Sequence, residues 1–105
     1  MNSKNFDAIV LSQLDKCKDI LTSKNKEYSS ETDRLHNFKV AARVNDTTPA
    51  KALWGMFTKH LVSVMDLVED PSKATSAILD DKITDFCNYA LLLRAILEEE
   101  NEARR

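Results

Sequence analysis

A chain of 105 residues makes one domain, with room for a single ordinary core. One glycine and two prolines leave almost nothing for the tight turns a sheet needs, which favours long helices joined by short polar links over a β architecture. The net charge of −2, from 15 basic and 17 acidic side chains, supplies no long-range field to recruit DNA or RNA and argues against that class of partner.

The spacing predicts a first helix over about 4–28, with Ser3 or Asn5 as its cap. Phe6, Ile9, Val10, Leu14, Cys17, Ile20 and Leu21 recur at helical intervals and form its apolar stripe, while Asp15, Lys16, Lys18 and Asp19 cover the outer side. The stripe fades into Lys24 to Tyr28 and breaks at Ser29-Ser30. A second, shorter helix is expected over about 33–44, with Thr32 as its capping hydroxyl and Leu35, Phe38, Ala41 and Ala42 on its inner side.

Thr48-Pro49 reads as a helix start, a capping hydroxyl followed by proline in the first turn. The third helix then spans 49–69 and stops at Asp70-Pro71, where proline forbids continuation. Leu53, Trp54, Phe57, Leu61, Val64, Met65, Leu67 and Val68 wrap most of its circumference, leaving a polar ribbon of Lys51, Thr58, Lys59, Ser63 and Asp66. A helix of that kind is expected to lie buried among several neighbours.

The last helix is expected over about 77–102. Leu79, Ile83, Phe86, Ala90, Leu93 and Leu97 form its expected core stripe. Opposite runs a second line of Asp81, Asp85, Asn88, Leu92, Ala95 and Ile96, polar at its start and apolar at its end. A helix apolar on two sides needs two covers. The fold expected is therefore all-α, a four-helix bundle-like domain over 1–105, completed by oligomerisation. Cys17 and Cys87 both fall on apolar positions and read as reduced core thiols. No apolar run nears the ~20 residues of a membrane span and no basic-then-apolar leader opens the chain, so a cytoplasmic location without a membrane partner is expected.

Chemistry concentrates on the last two helices. Asp81 and Asp85 stand four apart on one helix face, with Asn88 a turn further on; as a pair they either coordinate a divalent cation or simply form a solvated helix start. Asp66 would complete an acidic cup. Lys59 reads as a phosphate contact or a snorkelling surface lysine, and His60 as a general base or a satisfied core histidine. Tyr28, Arg34, His36 and Asn37 cluster in a link able to hold a base or phosphate, or merely to order the connection. Trp54 and Tyr89 could stack on a nucleobase, although large aromatics at helical spacing are more often core.

Taken in order, Lys24 to Tyr28, Asp33 to Phe38, Gly55 with Lys59-His60, and Asp81 to Asp85 with Asn88-Tyr89 give a pattern that resembles small phage-encoded proteins related to the MazG-like, all-α nucleotide pyrophosphohydrolases, including nucleotide-modification-associated proteins. The resemblance spans roughly residues 20 to 97. It implies a helical bundle that assembles as a dimer or higher oligomer. It further implies acidic side chains holding Mg2+ against a nucleoside triphosphate that is cleaved to a monophosphate and pyrophosphate. Under it, Asp66, Asp81 and Asp85 hold the metal, and Lys59 and Arg34 neutralise phosphate charge. His60 with Lys59 serves the chemistry, while Tyr28, Asn37, Asn88 and Tyr89 hold the base or sugar. The chain departs from the family pattern on its third helix, which offers Lys59, Ser63 and Asp66 in place of a glutamate pair, and at Lys82, three residues before Asp85. Those departures keep two alternatives open. One is a non-catalytic nucleotide or cyclic-nucleotide sponge, acting against defence signalling in the cytoplasm of a phage host. The other is a helical protein–protein interaction module.

Overall fold

The computed structural model describes residues 1–23 and 33–104. Every regular element among them is helical: α1 (Ser3–Ser23), α2 (His36–Val44), α3 (Pro49–Glu69) and α4 (Ser76–Ala103), with one turn of 3-10 helix over Pro71–Lys73. The expected end of the first helix near Tyr28 and the Thr32 cap lie outside the described residues.

Local chemistry explains most of the boundaries. Neither Ser3 nor Asn5 caps α1: the cap is Asn2, whose side-chain oxygen accepts the Asn5 N–H at 2.8 Å. Thr48 takes the expected role on α3, accepting the Lys51 N–H at 3.2 Å, with Pro49 in the first turn. After the stop at Asp70-Pro71, Thr75 caps α4 by accepting the Ile78 N–H at 3.3 Å. α2 ends in a Schellman arrangement. Thr47 N–H reaches back to the Ala42 carbonyl at 2.9 Å, and Asp46 takes the left-handed backbone (φ 52°) that aspartate tolerates better than most side chains.

α3 and α4 pack antiparallel. Phe57 meets Phe86 edge to face at 5.2 Å and Tyr89 at 6.1 Å. α1 runs beside α4 in the same direction: Gln13 bonds Thr84, and the thiols of Cys17 and Cys87 lie within hydrogen-bonding reach of each other. The buried cluster joins Leu35 and Phe38 of α2, Leu53 and Phe57 of α3, and Leu92 and Ile96 of α4. That places the core at one end of the molecule, under α2. An Asp33–Lys39–Glu99 network ties α2 to the C-terminal half of α4 there. The Lys39 ammonium holds the Asp33 carboxyl below its ordinary value, helped by the Leu35 N–H. Asp33, and after it Glu99, hold Lys39 above its own ordinary value.

Three expectations about burial are overturned. α3 is not wrapped by neighbours: only Leu53 and Phe57 are buried, while Trp54 is 53% and Val68 72% exposed. Trp54, expected in the core, lies at the surface against Phe57 at 5.5 Å. On α4 the expected core stripe is only half-buried, at Ile83, Phe86 and Leu93. The buried residues are Thr84, Asn88, Leu92 and Ile96, whereas Leu79 and Leu97 of the expected core stripe are 40% and 43% exposed. The reason is geometric. α2 and α3 close over the C-terminal half of the line that begins with aspartates, while the other line is covered only in part, at Phe86 and Leu93, which pack against the core.

The result is an open molecule. Its radius of gyration is 15.8 Å, with extents of 45 × 27 × 26 Å. A compact chain of this length would have a radius near 13 Å.

Candidate functional site

The N-terminal half of α4 carries the polar start of its covered line, and beside it α1 leaves a groove of about 560 Å3 lined by Lys16, Asp19, Ile20, Asp80, Asp81, Lys82, Thr84 and Asp85. α1 contributes Lys16 and Asp19 because they fall on the flank of its apolar stripe; α4 contributes its first turns, where aspartates also suit the helix dipole. Lys16 reaches Asp80 at 2.6 Å, so one lysine–aspartate pair is already matched across the groove. The remaining carboxylates outnumber the remaining ammonium, Lys82.

Deeper in the same interface, Gln13 donates from Nε2 to the Thr84 hydroxyl at 2.8 Å and to the Cys17 sulfur at 3.4 Å. One turn along α4, Asn88 is 5% exposed, and neither its amide nitrogen nor its oxygen has a hydrogen-bond partner. Such a group sacrifices roughly 1–3 kcal/mol of hydrogen bonding relative to water. The Cys87 thiol is pushed above its ordinary value by burial and then by Cys17, so it stays protonated at neutral pH. On the α3 side, His60 sits half-buried with its ring 4.4 Å from Tyr89 and its Nδ1 3.7 Å from the Asp85 carboxylate. That separation is too long for a hydrogen bond; it is an ion pair whenever the imidazole is protonated.

The expected site residues thus divide into those that meet and those that do not. Asp81 and Asp85 line one groove, and His60, Asp85 and Tyr89 form one cluster. Asp66 is exposed and does not line the groove. Six residues beyond His60 on α3, it projects about 120° away around the helix. Among the described residues no group of three His, Cys, Asp or Glu side chains could hold a metal ion, so the three-aspartate cup is not preformed. Lys59 is exposed on the outer side of α3. Arg34 donates from Nη2 to the Leu21 carbonyl at 3.1 Å, tying the start of α2 to the end of α1. Asn37 is exposed on α2, on the far side of the core from the groove, and Tyr28 lies outside the described residues. Asn88 sits inside the packing, where it faces no groove.

No protein family, curated protein or solved structure gives a match to this chain. The site is therefore read from its own geometry.

Sequence reasoning missed the Gln13–Thr84 bond, the Lys16–Asp80 pair and the Asp33–Lys39–Glu99 network. The first left a signal. Gln13 stands between Val10 and Cys17 on the apolar stripe of α1, and a polar side chain at a core position needs a partner. The other two join residues 64 and 60 apart in sequence, which no local pattern encodes.

A second surface lies on the other side of α4. Leu79 and Ile83 share an apolar groove of about 710 Å3 with Ile9, Val10 and Leu14 of α1. Phe6, Ile9 and Leu14 are 57%, 54% and 59% exposed. No described helix is long and apolar enough to cross a membrane.

Proposed function

We propose that this chain is a helical interaction module whose working surface is the uncovered apolar side of α4, with the adjoining N-terminal half of α1. The single observation that carries this reading is a regular apolar stripe left partly open, with Ile83, Phe86 and Leu93 half-buried along it. Leu79, Ala90 and Leu97 lie at the surface of a helix whose opposite line is already buried. Exposed leucines scattered singly need no explanation, but a contiguous stripe flanked by an apolar groove marks a docking face.

Charging that stripe is the test. Leu79→Asp with Leu97→Asp, both at positions a free surface accepts within about 0.5 kcal/mol, should leave helical circular dichroism intact. The same pair should abolish assembly, or lower the binding of an apolar dye. A double variant identical to the parent in mass and dye binding would defeat the reading. A charge at Leu92 is no such test, since Leu92 belongs to the core and its replacement challenges folding.

A second reading, a Mg2+-dependent nucleotide site, draws its support from the polar groove. Magnesium commonly takes one or two carboxylates and completes its shell with water and substrate phosphates. Asp81 and Asp85 are the pair that would serve, with Lys82 beside them facing phosphate. Asp66, Lys59 and Asn88 have no part in this version. A thermal-shift screen of nucleoside triphosphates and cyclic nucleotides with Mg2+ tests it. Ligand at 100 times its dissociation constant adds about 2.7 kcal/mol, several degrees for a domain of this size. Pyrophosphate release then separates hydrolysis from simple retention.

A further inference from the structure

Six apolar residues of α4, of which Leu79, Ala90 and Leu97 are exposed and Ile83, Phe86 and Leu93 half-buried, fall at 79, 83, 86, 90, 93 and 97, alternating steps of four and three. That is the spacing of a coiled-coil seam sustained over five turns. The same six positions are symmetric about residue 88. Turning a copy of the helix end for end at that point brings 79 onto 97, 83 onto 93 and 86 onto 90. Every apolar position then meets an apolar position, and the small Ala90 faces the large Phe86. A parallel pairing would stack Ala90 on Ala90.

The surface area agrees with one missing partner. The chain exposes 7699 Å2, against about 5,950 Å2 for a compact protein of 11.9 kDa. The excess of about 1,750 Å2 is ample for the roughly 800 Å2 per partner of a standard interface.

We infer that a second copy of this chain covers the open face, its α4 lying antiparallel to the first about a two-fold axis at the level of residue 88. Leu97 of the partner subunit then enters the groove between Leu79 and Ile9 and Val10 of α1. The inference rests on the interaction reading above and names its occupant.

The measurement is light scattering and sedimentation of the full chain across concentration, for the parent and for Ala90→Arg, with apolar-dye binding recorded alongside. Ala90 is exposed in the single chain, so the variant leaves the fold intact and circular dichroism verifies this. The expected result is a dimer whose dissociation constant rises at least tenfold in Ala90→Arg. Orientation is read by mixing Leu79→Cys chains with Leu97→Cys chains in a glutathione redox buffer, with the parent as baseline for its own two thiols. Disulfides should form between unlike chains. Like-chain disulfides would overturn the antiparallel register, and a dimer indifferent to Ala90→Arg would overturn the face. A chain monomeric at every concentration would overturn the second copy. If that monomer binds the dye and Ala90→Arg reduces the binding, the docking reading stands with a different occupant; if it binds none, both fall.

Discussion

Of the two long sides of α4, the less apolar is the one the fold buries more fully. One side runs Thr84, Asn88, Leu92, Ile96 and is buried, although its first half is polar and one member has no hydrogen-bond partner. The other runs Leu79, Ile83, Phe86, Ala90, Leu93, Leu97, the better stripe by any periodicity, and its ends are exposed. Burial within a chain follows from where the neighbouring helices are tethered as well as from how apolar a face is. α2 reaches only the covered side, fixed there by Lys39 between Asp33 and Glu99. Leu79, Ala90 and Leu97 of the better stripe stay exposed.

The comparison breaks most visibly at matched leucines. Leu92→Ala removes a side chain from the core and should lower stability by about 2–5 kcal/mol in chemical denaturation. Leu97→Ala, on the open side, should cost less than about 1 kcal/mol when measured at dilutions that separate copies. Equal losses would mean the two sides are not distinguished by the fold.

Next in size is Asn88→Leu, which replaces an unpartnered amide in the packing by an apolar group of similar volume. A gain of roughly 1–2 kcal/mol is expected in the same assay. A loss would show that Asn88 has a partner in solution. Thr84→Val, one turn earlier, strips the 2.8 Å bond from Gln13 and should cost about 1 kcal/mol. Gln13→Leu made with it should recover part of that loss, as a double-mutant cycle would read.

The smallest effect expected is in the pH dependence that ties α2 to the covered side. The Asp33 carboxyl titrates lower in the folded chain than its ordinary 3.8, so its contribution is present above that pH and is lost as pH falls through the folded value. The Lys39 ammonium titrates higher than its ordinary 10.5, so its contribution is present below that pH and fades as pH rises through the folded value. Asp33→Asn should flatten the acid limb of the stability–pH curve. An unchanged limb would remove Asp33 from the network.

Helix number, helix boundaries within a few residues and the absence of strands among the described residues follow from sequence by itself, because they depend on local events. Thr48-Pro49 starts a helix and Asp70-Pro71 stops one wherever they occur. The symmetric spacing on α4 is likewise a property of the chain. The site was legible only in pieces: Asp81 and Asp85 share a face by helical geometry, but their meeting with Asp19, and His60's with Asp85 and Tyr89, depend on how α1 and α3 are set against α4. Tertiary structure decided three further things. It put Asp66 out of reach of the groove, Trp54 at the surface, and Thr84 and Asn88 inside in place of Leu79 and Leu97. Each is a choice between faces of a helix that is apolar on more than one side, and periodicity ranks faces without saying which of them a neighbour will cover.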